Sequence, residues 1–240
     1  MVGLYNAAYK PVTVLLAMPT TYFIGLFPAL SRAHTQDQES FREIATRSFG
    51  LAALVSMPIG IGALFLAAPI ISFLFGPAYA SAAAVLQILS WSAMLVILRG
   101  TFRQSLNAAN KSALDLRCAS VAVLVNIILN LLFIPRFGII GAAVATLISE
   151  VIWFSLAYYC FTRHISRLNL LPLLLQPIMA AFVMGLFLLL TQSWFWVARL
   201  GGGLAVYLGV LLLVGQKEVR SGLRLIRSQL PLAVREQTSI

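Results

Sequence analysis

The side chains on this chain that could do chemistry are few and thinly spread. The acids are Asp37, Glu39, Glu43, Asp115, Glu150, Glu218 and Glu236, and the histidines are His34 and His164. All but Glu150 fall between apolar segments or in the C-terminal tail. No carboxylate pair, His–Asp pair or metal-ligand cluster therefore assembles at a common depth. A P-loop for ATP hydrolysis is also missing. This inventory argues against a membrane polymerase, ligase or acyltransferase, and it predicts neither enzymatic activity nor a metal or cofactor.

The remaining polar residues point to binding. Lys10 and Glu150 lie inside apolar segments, where a charge at the bilayer centre costs roughly 2.5–3.5 kcal/mol and so faces a bundle interior or a watery cavity. Asn6, Lys10, Thr13 and Thr20 recur at helical spacing and make one polar face. Such a face offers a cation for phosphate and hydroxyls for sugar; the alternative is that Lys10 snorkels to the outer interface. Glu150 reads as a proton- or cation-coupling group, or as a buried acid hydrogen-bonded to a neighbouring helix. Asn126 and Asn130 are one helical turn apart. They read as interhelical hydrogen-bonding residues or as a polar lining for a solute path. Arg99 and Arg103, also one turn apart, are either anchors at the anionic inner leaflet or an entry site for a lipid pyrophosphate.

The elements that must position these residues are membrane spans. Of the 240 residues 60% are hydrophobic and 10% charged, against roughly 25% charged in a soluble domain. So few charges cannot coat a water-facing globule, and the expected fold class is all-α, a polytopic membrane helix bundle. The net charge of +10 sits in connections between apolar segments, which implies the membrane lipid bilayer as partner and not nucleic acid. Cys118 and Cys160 form no CxxC and read as free thiols. Nothing at the N-terminus resembles a signal peptide. A span needs ~20 mostly apolar residues. Such stretches occur at Leu4–Leu30, Phe49–Ala68, Ala82–Thr101, Cys118–Ile134, Ile139–Phe161, Leu170–Leu190 and Phe195–Val214, about seven transmembrane helices in one unit, 1–214. Residues 215–240 form a basic tail that is amphipathic over Gln216–Leu230 and is expected to lie on the cytoplasmic surface.

Basic residues fix the expected orientation. One side takes Arg32, Arg42 and Arg47; Arg99, Arg103, Lys111 and Arg117; Arg163 and Arg167; and Lys217, Arg220, Arg224, Arg227 and Arg235. Only Lys10, Arg136 and Arg199 fall elsewhere. The C-terminus is therefore expected in the cytoplasm and the N-terminus in the periplasm, in a multi-pass inner-membrane protein. An outside N-terminus at Met1 leads us to expect an upstream helix that is absent here.

Four motifs, in order, carry a family resemblance. Asn126 to Ala143 reads N-x-x-x-N-x-x-x-I-P-x-x-G-x-x-G-A-A; Val2 to Lys10 reads as a GxYxxAY+ segment; Phe27 to Arg32 reads FPALSR; and Leu74 to Tyr79 reads LFGPAY. Together they resemble the polysaccharide-biosynthesis, O-antigen (Wzx-type) flippases of the multidrug/oligosaccharidyl-lipid/polysaccharide exporter superfamily. The resemblance implies the C-terminal lobe of a MATE-like flippase plus two extra C-terminal helices. It also implies a truncated or partial protein that moves undecaprenyl-pyrophosphate-linked glycan by alternating access without ATP, and Lys10 falls on the family's basic position. The implied partners are a missing N-terminal half and the polysaccharide polymerase machinery. The rival expectations are a multidrug exporter of the same superfamily and a non-transporting structural partner of polysaccharide assembly.

Overall fold

A computed structural model of the chain describes residues 2–214, and the expected amphipathic tail lies outside the described residues. The described residues form α1 (Val2–Gln36), α2 (Gln38–Phe75), a short 3-10 turn (Pro77–Tyr79), α3 (Ala82–Ala108), α4 (Ser112–His164), α5 (Leu170–Leu190) and α6 (Trp196–Val214). Six helices are long and apolar enough to cross a membrane. The large apolar side chains that face outward, such as Met18 at 84% exposed and Leu190 at 77%, suit hydrocarbon and not water. The chain is thus a multi-pass, all-helical membrane protein.

Several helices run past the expected apolar segments. The connection expected to hold Arg32, Arg42 and Arg47 shrinks to Asp37, because α1 continues to Gln36 and α2 starts at Gln38. The polar residues here continue the helices into water, since nothing in them breaks a helix. Asp37 is the N-cap of α2: its carboxylate accepts from the Glu39 and Ser40 amides, each at 3.0 Å, and from the Ser40 hydroxyl at 2.7 Å. The Ser40 hydroxyl and these two amides hold the carboxyl below the usual carboxylate range. Gly76 closes the other end of α2, donating its amide to the Ser72 carbonyl.

The 53-residue α4 would be about 80 Å long if straight. It is instead doubled back at Gly138, whose φ of 58° and ψ of −135° leave the helical region, a conformation glycine adopts without a Cβ clash. The fold-back puts Asn126 Nδ2 2.8 Å from Ser149 Oγ and the Cys118 and Cys160 sulfurs 3.5 Å apart. The two arms, 112–137 and 139–164, are antiparallel, so the seven expected spans are present as six helices, one of them folded on itself. The reversal comes at Gly138 and not at Pro135, which stays inside the helical run. Gly141 lets the arms close: a Cβ there would lie 2.5 Å from the Phe133 carbonyl oxygen.

The central helix is α3, packed against α1, α2 and both arms of α4; α5 packs on α2, and α6 on α5. Phe102 of α3 stacks with Phe49 at 5.3 Å and meets Phe161 at 5.3 Å, the aromatic centre of one core cluster. A second, alanine-rich cluster joins Ala8 and Val12 of α1 to Val85 and Leu89 of α3, so α1 and α3 run parallel. Tyr207 of α6 donates to the Leu54 carbonyl of α2 at 2.8 Å. Connections alternate between the two ends of the bundle: residue 37, 109–111 and 165–169 at one, 76–81, Gly138 and 191–195 at the other.

Candidate functional site

Two arginines, one turn apart on α3, tie that helix to both arms of α4. Arg99 is only 4% exposed; its Nε lies 3.3 Å from Glu150 Oε2, and its guanidinium sits 3.4 Å over the Trp153 ring. Glu150 and Trp153 belong to the second arm. Arg103 Nε lies 3.4 Å from Asp115 Oδ2 on the first arm, and the Arg103 side chain stays 54% exposed. Arginine suits both places, since its planar fork can hold a carboxylate with one edge and present further N–H donors elsewhere.

Arg99 and Arg103 also line a cavity of about 280 Å³ between α1 and α3. Thr20 and Phe23 line it from α1, and Arg99, Arg103, Gln104 and Asn107 from α3. The helices meet closely here because residue 100 is glycine: a Cβ would collide with the Phe23 ring.

Asn6, Lys10, Thr13 and Thr20 all lie on the exposed side of α1, while Ala7, Ala8 and Val12 face its neighbours. The Thr13 hydroxyl donates to the Lys10 carbonyl at 2.8 Å and the Thr20 hydroxyl to the Leu16 carbonyl at 2.7 Å. Among the described residues no carboxylate pairs with Lys10. From Lys10 to Thr20 the helix advances about 15 Å. The stripe therefore begins at Lys10 in one half of the bundle and ends at the arginine-lined cavity in the other.

The asparagines are arranged differently. Asn130 Nδ2 donates to Asn126 Oδ1 at 2.9 Å, and Asn126 Nδ2 donates to Ser149 Oγ at 2.8 Å. These amides tie the two arms of α4 together and stand apart from the α1–α3 cavity. Asn130 also borders a shallow apolar groove beside Ile127 and Leu131.

Sequence reasoning singled out Arg99, Arg103 and Glu150 but did not pair them, and it gave Asp115 and Trp153 no role. One available signal was that Arg99 and Glu150 carry opposite charges within apolar helices, where each needs a counter-charge.

The comparisons with known proteins fit this architecture. The family profile described as lipid II flippase MurJ matches residues 11–205. The probable flippase AglR of Haloferax volcanii is 30% identical over 172 residues, 70% of this chain and 36% of that protein. The capsular polysaccharide biosynthesis protein CapF of Staphylococcus aureus is 26% identical over 57% of this chain and 35% of its own length. The solved structure of lipid II flippase MurJ in its inward closed conformation superposes with a TM-score of 0.69 at 19% identity, over 87% of this chain and 48% of that one. The chain thus spans about a third of the length of these relatives and about half of the solved structure. A family of flippases is one of transporters and not of enzymes, and the profile, which covers most of the chain, places it there: the chain belongs to the MurJ lipid II flippase family.

Proposed function

We propose that the chain forms the C-terminal lobe of a flippase for undecaprenyl-pyrophosphate-linked oligosaccharide of the O-antigen or exopolysaccharide type. In this reading the glycan crosses from the cytoplasmic to the periplasmic face of the bacterial inner membrane, with the end of the bundle at residues 37, 109–111 and 165–169 in the cytoplasm. A second lobe, on the same chain or another, completes the cavity. The capsular polysaccharide relative and the family profile support a lipid-linked glycan as cargo.

The observation that carries the reading is Lys10. An exposed cation on a bilayer-spanning helix with no counter-charge among the described residues is costly in lipid. It is favourable in a watery cavity that admits a phosphate. A mobile ammonium can hold that phosphate and release it, which transport requires. Asn6 and Thr13 beside it offer hydrogen bonds to sugar. Glu150, which pairs with Arg99 between α3 and α4, is the candidate coupling group for a proton or cation.

The test is made in the complete transporter. Lys10→Ala and Lys10→Glu should cut surface polysaccharide at least tenfold at normal protein level, and Lys10→Arg should keep part of it. Normal transport by Lys10→Ala, or a loss that merely follows protein abundance, would overturn the assignment.

A further inference from the structure

We propose that the α1–α3 cavity is a second anion-binding site, distinct from Lys10, that takes a phosphate group at the arginine-rich end of the bundle. For the identity of the ligand this rests on the flippase reading; the site itself stands on geometry.

Arg99, Arg103, Gln104 and Asn107 line the cavity, and no carboxylate is among its lining residues. The two carboxylates that balance the arginines, Glu150 and Asp115, stand behind them on α4. Asp115 meets Arg103 at Nε, 3.4 Å away, and the Arg103 side chain is 54% exposed, which leaves its terminal nitrogens open to a ligand. The carboxylates therefore balance the arginines' charge without entering the cavity. Arg103 is the more open of the two, and its partner is poorly satisfied: Asp115 is buried, and its Oδ1 has no hydrogen-bond partner. A phosphate arriving at Arg103 competes with that carboxylate, whereas Arg99 is held by both Glu150 and Trp153. Arg103 is the primary ligand, and Arg99 adds charge and a fixed wall. Charge-assisted bonds from two arginines one turn apart suit a group with several anionic oxygens, such as a phosphate or pyrophosphate.

Trp153, stacked under Arg99, is a built-in reporter. The full chain is placed in nanodiscs of phosphatidylcholine with Trp91, Trp194 and Trp196 changed to Phe, and inorganic pyrophosphate is titrated in. The expected result is a saturable change in Trp153 emission. Arg103→Gln should weaken the apparent affinity at least tenfold, and Arg103→Lys by less. Asp115→Asn should tighten it several-fold, because it removes the competitor; a merely structural role for Asp115 predicts the opposite sign. A parallel arm uses discs containing phosphatidylglycerol without pyrophosphate. A signal there assigns the site to bulk lipid headgroups, and a signal with pyrophosphate alone assigns it to the linkage of the carried lipid; either supports the anion site. No saturable signal in either arm, or unchanged affinity in Arg103→Gln, overturns it. Since binding is read without transport, pyrophosphate binding by the chain together with failure of the complete transporter to flip glycan would count against the flippase reading alone.

Discussion

Arg99 and Glu150 are charges inside an apolar bundle, and each is tolerable there because of the other. Removing one partner of a buried pair leaves an uncompensated charge and costs about 3–5 kcal/mol, while replacing both by apolar groups is often neutral. The stack on Trp153 adds up to about 2 kcal/mol on the arginine side. Glu150→Gln should therefore lower the thermal midpoint of the detergent-solubilised chain substantially, and Arg99→Leu together with Glu150→Leu should recover most of the loss. If the double variant is as unstable as the singles combined, the pair is uncoupled and only packing around Trp153 matters. At this scale the sequence was partly legible. Residue type and an apolar context marked Arg99, Arg103, Glu150 and Lys10. Which carboxylate meets which arginine depends on how α3 and α4 register against each other, and partners 51 residues apart in sequence leave no local pattern. Asp115 looked like an ordinary connection acid because its burial comes entirely from neighbouring helices.

Among the elements, α4 makes the strongest structural claim. In a straight helix Cys118 and Cys160 would sit about 60 Å apart; folded at Gly138, their sulfurs lie 3.5 Å apart. Copper-phenanthroline should take two electrons and two protons from this pair and yield a linked 118–160 peptide by mass spectrometry, and Gly138→Val should reduce the yield by opening the turn. Two thiols that each react with a maleimide while never cross-linking would show that the arms are not paired as described. The hairpin was readable because Pro135, Gly138 and Gly141 punctuate an otherwise unbroken apolar run. The true helix ends were not: hydropathy marks where a helix leaves the apolar layer, whereas the helix itself ends where the backbone finds a cap, as α2 does at Asp37 and Gly76. The Asn126–Asn130 pair was legible as a pair, but whether it bonds a neighbouring arm or lines a path depended on Ser149 arriving from the other arm.

For the whole molecule, the proposed orientation rests on how the cations divide between the two ends of the bundle. At one end of the bundle the structure gathers Arg32, Arg42, Arg103, Lys111, Arg117, Arg163 and Arg167. There Lys111 Nζ donates to the His164 carbonyl at 2.7 Å and Gln38 Nε2 to the Ile165 carbonyl at 3.1 Å, closing the connections that carry the charges. The opposite end has Arg136 in its hairpin and Arg199. Arg199 is not a free surface charge: it is buried, and its Nη2 donates 2.9 Å to the Leu188 carbonyl, in the last turn of α5. There a cation satisfies an orphan carbonyl and meets the negative end of the helix dipole. Discounting it sharpens the asymmetry behind the proposed orientation, since the positive-inside rule acts on cations flanking the spans. Alkaline phosphatase fused after Pro77 should therefore be active in the periplasm, and the same enzyme fused after Arg167 inactive. Arg199→Ala should leave both results unchanged while lowering stability, because its role lies in packing α6 onto α5. The reverse pattern of fusion activity would place the arginine-lined cavity on the periplasmic side. It would then face the exit of the proposed transport path and could not serve as the entry point for a cytoplasmic lipid pyrophosphate.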